Sequence, residues 1–192
     1  MRVLVIQGHP DSQSYIAALA AGYIEQVKEA GHEVRVIDLA TAQFDPVLRY
    51  GYRERMEPDP FIEKSQEDVL WAEHLSVFFP VWWAAEPSVL KGWFDRVFTP
   101  KVTYTYRPGK ASPVKLLKGR TASVIVASHA PDFFVKLNPS YPIRRMRRNV
   151  LGYCGVKVKE NYVFGGIGGP NETPENLEKF KAKVLAAGRK LK

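Results

Sequence analysis

The sequence predicts an open, doubly wound α/β domain built on one five-stranded parallel sheet, and three observations carry that reading. Five short apolar runs alternate with amphipathic segments, the pattern of strands joined by crossover helices. Residues 75–98, LSVFFPVWWAAEPSVLKGWFDRVF, condense one such unit into a buried strand, a tight aromatic loop and a helix returning to the sheet. At 192 residues the chain suffices for one well-buried core, and no linker, repeat or low-complexity tract divides it. Residues 1–192 therefore read as a single domain. Five strands in that length fit the order 2-1-3-4-5, with helices on both faces, better than a six-stranded dinucleotide fold.

The first strand, residues 2–7 (RVLVIQ), runs into a polar loop, GHPDSQS. The helix after it carries Ile16, Leu19, Ala20, Tyr23 and Val27 on one face, and Gly31 is placed to end it. Residues 33–38 (EVRVID) make the second strand. Residues 39–60 are long and irregular for a connection, which implies a function or an element to be covered. A helix near 61–73 leads into the third strand, 75–79, which stops at Pro80. In the following helix Leu90, Trp93, Phe94, Val97 and Phe98 recur at the helical period, and Pro87 suits its first turn. A second irregular segment, PKVTYTYRPGKASP, precedes the fourth strand, 120–128. Beyond a proline-interrupted loop a helix turns Ile143, Met146, Val150 and Leu151 inward, and residues 156–164 form the fifth strand. Thr173, Pro174 and Glu175 open the last helix with a cap, a proline and an acid at its positive end. Its buried face is Leu177, Phe180 and Val184.

Composition removes several function classes. Hydrophobic residues at 45% and charged ones at 25% describe a globular chain rather than a disordered one. The single Cys154 excludes an internal disulfide and agrees with a reducing compartment. No apolar run approaches the roughly 20 residues of a membrane-spanning helix. MRVLVIQG opens as a strand without signal-peptide features, so a cytoplasmic protein without membrane insertion is expected. The net charge of +8 attracts anionic partners. It is concentrated in Arg144, Arg145, Arg147 and Arg148, and in Lys179, Lys181, Lys183, Arg189, Lys190 and Lys192. No helix-turn-helix, zinc or RNA-binding signature accompanies it, so nucleic acid is not an expected partner. The C-terminal group reads as a solvated face, whereas the arginine group suits a phosphorylated cofactor or an anionic surface. Four scattered histidines and one cysteine predict no metal site.

Open α/β sheets bind ligands at the carboxyl ends of their strands. There the third loop, Val81, Trp82, Trp83, Ala84 and Ala85, suits a flat aromatic ligand. Adjacent loop side chains cannot both face one interior, so Trp82 or Trp83 is expected to touch a ligand or a dimer partner. The first loop, residues 8–15, brings backbone N–H groups and the side chains of His9, Ser12 and Ser14 to a helix N-terminus. That is an anion site or, more simply, an ordinary cap. No G-x-G-x-x-G follows the first strand, which argues against a nicotinamide cofactor bound in the Rossmann manner. A phosphate in one loop and a planar ring in the other describe a flavin nucleotide. Tyr104 and Tyr106 alternate as on a short strand, serving packing or substrate contact. His129 reads as flavin-touching or catalytic, or else as a solvated loop histidine. His74 reads as structural and Cys154 as a small buried hydrophobe.

FFPVWWAAEPSVLKGWFDRVF resembles the flavin-ring motif of the flavodoxin-like NAD(P)H:quinone oxidoreductases, the DT-diaphorase group and its bacterial relatives. HPDSQSY resembles that family's first loop, and Leu117-Lys118-Gly119-Arg120 the approach to its fourth strand; the likeness spans most of 1–165. The resemblance implies a flavodoxin-like fold and two-electron reduction of quinones, with FAD favoured over FMN and NADPH or NADH as donor. It implies that backbone groups from Val81 to Ala84 hold the ring's N5 and O4 edge, with Trp82 or Trp83 against the ring. His9, Ser14 and Tyr15 would hold the phosphates. The implied cofactor-binding set is His9, Ser12, Ser14, Tyr15, Pro80, Val81, Trp82, Trp83, Ala84 and Ser128. The implied catalytic set is His129, Tyr104 and Tyr106, the two tyrosines matching an aromatic pair near a substrate pocket that is commonly shared across a homodimer.

The chain also departs from that pattern. Many members carry Thr-Thr-Gly-Gly after the fourth strand, where backbone donors approach flavin N1 and O2. Here the loop reads Ser128-His129-Ala130-Pro131-Asp132, and Pro131 has no N–H, so His129 is the expected replacement donor. Ile16 stands where relatives often have Asn. LNPSYPIRRMRRNVLGYCGV resembles a less studied bacterial branch, some of whose relatives assist potassium-efflux systems. The alternative expectation is therefore a weakly catalytic or non-catalytic regulatory subunit, with the arginine cluster on an acidic protein or lipid surface. An electron-carrying flavodoxin fits less well, because those proteins are typically acidic.

Overall fold

The computed structural model describes residues 1–138 and 141–191. Lys192 of the basic C-terminal group, and Pro139 and Ser140 of the segment leading to the arginines, lie outside the described residues. In chain order the elements are β1 (Arg2–Gln7), α1 (Tyr15–Glu29), β2 (Glu33–Asp38), α2 (Pro60–Trp71), β3 (His74–Val81) and α3 (Ser88–Val97). Then follow β4 (Tyr104–Tyr106), β5 (Pro113–Lys115), β6 (Thr121–Ser128), α4 (Asp132–Leu137) and α5 (Pro142–Arg145). A π-helical turn (Met146–Val150), α6 (Leu151–Cys154), β7 (Lys157–Gly165) and α7 (Pro174–Arg189) complete the chain.

Five strands form a parallel sheet in the order β2-β1-β3-β6-β7, the flavodoxin-like arrangement once the two short strands β4 and β5 are set aside. Side-chain alternation along β1 explains the layers. Val3 and Val5 meet Phe78, Ile125, Leu19, Tyr23 and Val184 on the face covered by α1 and α7. Leu4 and Ile6 meet Leu75, Val77, Val69, Trp93 and Met146 on the face covered by α2, α3 and the helices after β6. All eight residues of β3 are buried, as a central parallel strand covered on both faces requires. The buried face of α1 is the predicted one, Ile16, Leu19, Ala20, Tyr23 and Val27.

Four local expectations need correction. β3 does not stop at Pro80; it runs on to Val81, pairing Pro80 with Ala127 and Val81 with Ser128. The Phe78 carbonyl accepts from Gly8 N–H at 2.7 Å, so residue 78 and, two residues on, Pro80 turn their backbone groups toward β1. β1 pairs no further than Phe78, so the absent proline N–H removes no ladder bond. Pro87 is the cap before α3 rather than part of its first turn. The irregular segment before β6 contains an antiparallel hairpin pairing Tyr104 with Lys115 and Tyr106 with Pro113. Finally, the helix predicted around Ile143 is broken by the π-helical turn and leaves Val150 only half-buried.

The long connection before α2 crosses α3 as a strap. A Cβ on Gly92 would lie 2.3 Å from the Pro46 carbonyl oxygen, so only glycine lets the strap pass. The buried Arg96 donates to the Asp45 carbonyl at 2.6 Å and pins it there.

Candidate functional site

The carboxyl ends of β1, β3, β6 and β7 bring four loops together. The first begins at Gly8, where a Cβ would sit 2.9 Å from the Phe78 carbonyl and 2.6 Å from Leu90, so the chain leaves β1 pressed against β3 and α3. His9 Nδ1 accepts from Asp11 N–H at 2.9 Å, which puts the proton of the neutral ring on Nε2. Burial lowers the His9 pKa against the opposing pull of Asp11, so the ring is a neutral Nε2–H donor. Ser14 caps α1, its hydroxyl accepting from Ala17 N–H at 3.2 Å. Ser12 is exposed in the turn before it. Tyr15 points elsewhere: its hydroxyl donates to the Leu177 carbonyl at 2.8 Å and ties α1 to α7. Burial raises its pKa to about 12.

The loop after β3 is a two-residue turn. Trp82 and Ala85 exchange backbone hydrogen bonds at 2.9 Å, and the apex residues Trp83 and Ala84 have φ of 49° and 58°. Both lie in the left-handed region without being glycine, at a cost of roughly 1–3 kcal/mol each. Strain of that kind persists only where its surroundings over-determine it, and it clusters at binding sites. Among the described residues no backbone carbonyl accepts from the N–H of Trp83 or Ala84. Trp83 is fully exposed, Trp82 is nearly half exposed, and Val81 beneath them is buried. The His9 ring meets Trp82 edge-on at 5.3 Å, so the structure joins the first and third loops directly.

In the loop after β6, the buried Ser128 accepts from Ala130 N–H at 3.2 Å. The exposed His129 donates Nδ1–H to the Ile167 carbonyl at 2.6 Å. The expected replacement donor is thus oriented by another loop, and its free Nε2 donates only as the imidazolium. That other loop, residues 165–169, is glycine-rich, and Gly166 N–H reaches the Ala130 carbonyl at 3.2 Å.

Tyr104 and Tyr106 lie in a different cluster. Tyr104 packs edge-on against Tyr106 at 5.8 Å and Tyr153 at 5.1 Å, and the Tyr106 and Tyr153 hydroxyls share a hydrogen bond. Burial pushes the Tyr104 phenol upward, and its hydrogen bond with Tyr106 raises Tyr153 to about 12. Beside them is a cavity of about 330 Å³ lined by Tyr52, Phe94, Phe98, Arg145 and Tyr153, with no residue of the aromatic turn in its wall. A second cavity, of about 570 Å³, lies under the strap around Arg49, Tyr50 and Arg96.

Three features fall outside the sequence expectations. Arg145 is not free to serve a cofactor phosphate with its neighbours, because it forms an ion pair with Glu86. Glu86 carried a signal, as an acid between an aromatic loop and an apolar helix. The glycine-rich loop after β7 carried one as well. Among the described residues no acid pairs with Arg144, Arg147 or Arg148, all exposed. No metal-ligand cluster occurs among the described residues, and none of their helices is long and apolar enough to cross a membrane.

A family model described as flavodoxin-like fold matches residues 1–187. NAD(P)H dehydrogenase (quinone) 1 of Cavia porcellus is 28% identical over 98% of this chain and 75% of its own. The structure of NAD(P)H:quinone oxidoreductase from Methanothermobacter marburgensis superposes with a TM-score of 0.79 at 26% identity, covering 100% of this chain and 99% of that one. An FMN-dependent NADH-azoreductase from Bacillus anthracis, in complex with FMN, gives 0.75 at 19% identity over 98% of both chains, a likeness of fold alone.

Proposed function

The chain belongs to the flavodoxin-like fold family, and from that premise we infer that it is a flavin-dependent NAD(P)H:quinone oxidoreductase. The observation that carries the reading is the strained aromatic turn after β3, with apex amides uncommitted among the described residues and a ring of the first loop 5.3 Å from Trp82. These residues fit a flavin nucleotide on two counts. Free N–H groups on a flat aromatic turn suit the acceptor edge of a planar heterocycle. A neutral Nε2–H donor beside a helix N-terminus suits a phosphate.

The flavin, when bound, supplies the redox chemistry, accepting a hydride from the reduced nicotinamide and delivering it to a quinone. The chain supplies position and electrostatics. The uncommitted amides of Trp83 and Ala84 would hold the N5 and O4 edge, with Trp82 or Trp83 against the ring. His9 and the start of α1 would hold the phosphate, with Ser12 and Ser14 lining the same loop. Ser128 orders the backbone beside His129. His129, held by Ile167 through Nδ1, would lie at the N1 and O2 edge of the ring. Relief of negative charge at that edge favours the reduced state.

We propose FAD as the flavin, with FMN, which the Bacillus anthracis neighbour binds, the alternative; chromatography of the flavin released by denaturation decides between them. We also propose a homodimer. Tyr104 and Tyr106 share no cavity wall with the aromatic turn, so a partner subunit would bring them to a ring-bound substrate, and α4 exposes Phe133, Phe134 and Leu137. Light scattering on a sizing column showing a monomer would remove both tyrosines from the catalytic set. A reducing cytoplasm suits the lone buried thiol of Cys154. The exposed Arg144, Arg147 and Arg148 leave room for a peripheral acidic partner.

Anaerobic NADPH added to the flavin-loaded protein should bleach its absorbance, and a quinone should restore it. Bound flavin that never bleaches would transfer the reading to a regulatory subunit. Replacing both Trp82 and Trp83 by Ala should lower flavin occupancy after dialysis at least about tenfold, the effect of losing roughly 1.4 kcal/mol of binding. Unchanged occupancy would refute the ring site. His129→Ala should make the midpoint potential more negative. A potential equal to the parent's would take His129 out of the mechanism.

A further inference from the structure

Immediately behind the aromatic turn lies a carboxylate that the redox reading leaves without a role. Glu86 joins the turn to the cap of α3, and its side chain is 0% exposed. Its ion-pair partner is the Arg145 guanidinium of α5, and among the described residues neither carboxylate oxygen receives a hydrogen bond of ordinary geometry. Burial lowers the Arg145 pKa, so the guanidinium also pays for its position. An ion pair with so few supporting hydrogen bonds adds little to stability, because desolvation offsets the attraction. What such a pair does supply is a fixed direction for the chain.

Direction is what this loop lacks by itself. Trp83 and Ala84 hold positive φ without glycine, and the Trp82–Ala85 hydrogen bonds close the turn without anchoring it. Upstream, the chain is fixed by the pairing of Val81 with Ser128. Downstream, Glu86 is the residue that leaves the turn, and α5 holds it through Arg145. α5 is itself seated in the core by Ile143, with Met146 of the π-helical turn beside it.

We propose that Glu86 is a positioning residue for the flavin site. Through Arg145 it holds the chain leaving the turn, so that Trp83 and Ala84 stay left-handed and present their amides to the ring edge. The role at the ring rests on the flavin reading above; the role in shaping the turn does not. Neutralising Glu86 lets the turn relax to ordinary φ and turns the amides away. Glycine at position 84 adopts positive φ without penalty, so it removes the need for the anchor.

The test compares Glu86→Gln, Ala84→Gly and the two combined. In the flavin-free parent, the backbone chemical shifts of Ala84 should report a left-handed residue, and in Glu86→Gln they should move to ordinary values. Titration with FAD should give a Kd raised about tenfold by Glu86→Gln and returned to within about threefold of the parent by the added Ala84→Gly. A general loss of packing would not be repaired by glycine at that site. Should Glu86→Gln fail to fold, Glu86→Gln with Arg145→Gln removes both buried charges, and the same movement of Ala84 is expected. Unmoved Ala84 shifts in a folded variant, or weakened FAD binding that Ala84→Gly does not repair, would overturn the proposal. A parent that binds neither FAD nor FMN would overturn the flavin reading, while the Ala84 shifts would still decide what Glu86 does to the turn.

Discussion

Gly165→Ala is expected to cost the protein about 2–3 kcal/mol, the range of a core position forced to accept an extra methyl group, and to weaken flavin binding. Gly165 ends β7, where the loop after β6 crosses it. A Cβ there would lie 2.1 Å from Asp132 N, 2.6 Å from the Pro131 carbonyl carbon and 2.7 Å from Asp132 Cα. All three are backbone atoms, so no side chain can swing aside. The loop carrying His129 must lift, and the contacts of Ala130 with Gly166 and of His129 with Ile167 must lengthen. Chemical denaturation should show the midpoint falling with an unchanged slope. A stability within about 0.5 kcal/mol of the parent, the usual range for surface changes, would mean that the two loops do not meet as described.

The second large effect is an acid lability centred on His74. The ring is buried at the start of β3, its Nδ1 bonded to Thr121 Oγ1 at 2.8 Å, while among the described residues Nε2 has no hydrogen-bond partner. Burial, with smaller contributions from the positive Lys159 and nearby His32, lowers its pKa from 6.5 to about 4. Because the folded pKa lies below the unfolded one, this contribution is complete above pH 6.5 and shrinks as the pH falls toward 4. In that window the unfolded chain binds a proton that the folded chain refuses. The loss by pH 4 amounts to about 3 kcal/mol at about 1.4 kcal/mol per pKa unit. His74→Asn, which keeps a partner for Thr121, should flatten the stability profile between pH 6.5 and 4. A variant as acid-labile as the parent would assign the loss to other groups.

Much of the fold was legible because it rests on local periodicity. The five core residues of α1 follow from a 3.6-residue period, and the Thr173 cap and Pro174 mark the start of α7. Both signals lie within a few residues of the structure they specify. Continuation of β3 through Pro80 was not legible, because it depends on where β1 stops, a fact of tertiary register. The hairpin of β4 and β5 was hidden for a similar reason: three-residue strands give almost no period to detect. The break at Met146 leaves the apolar spacing of its helix nearly intact, so an inserted π turn is invisible to a pattern read at 3.6 residues.

The site divides along the same line. The exposed aromatic turn after β3 could be read from residue types, because two adjacent tryptophans in a loop cannot both face one interior. The site's working parts could not. The proton position on His129 is set by the Ile167 carbonyl, and the direction of Tyr15 by the Leu177 carbonyl, each contributed by a distant stretch of chain. Arg145 looked like one member of a basic cluster until its pairing with a buried acid set it apart.

The strand order also has a consequence for how the protein matures. β1, β2 and β3 are adjacent in the sheet and come from the first half of the chain, and that half carries both His9 and the aromatic turn. The face of α1 that packs on α7 waits for the last helix, and the His129 loop waits for β7 to cross behind it. During synthesis the aromatic turn therefore emerges long before the segments that complete its surroundings. On the proposed reading of the site, ligand capture therefore waits for a finished chain.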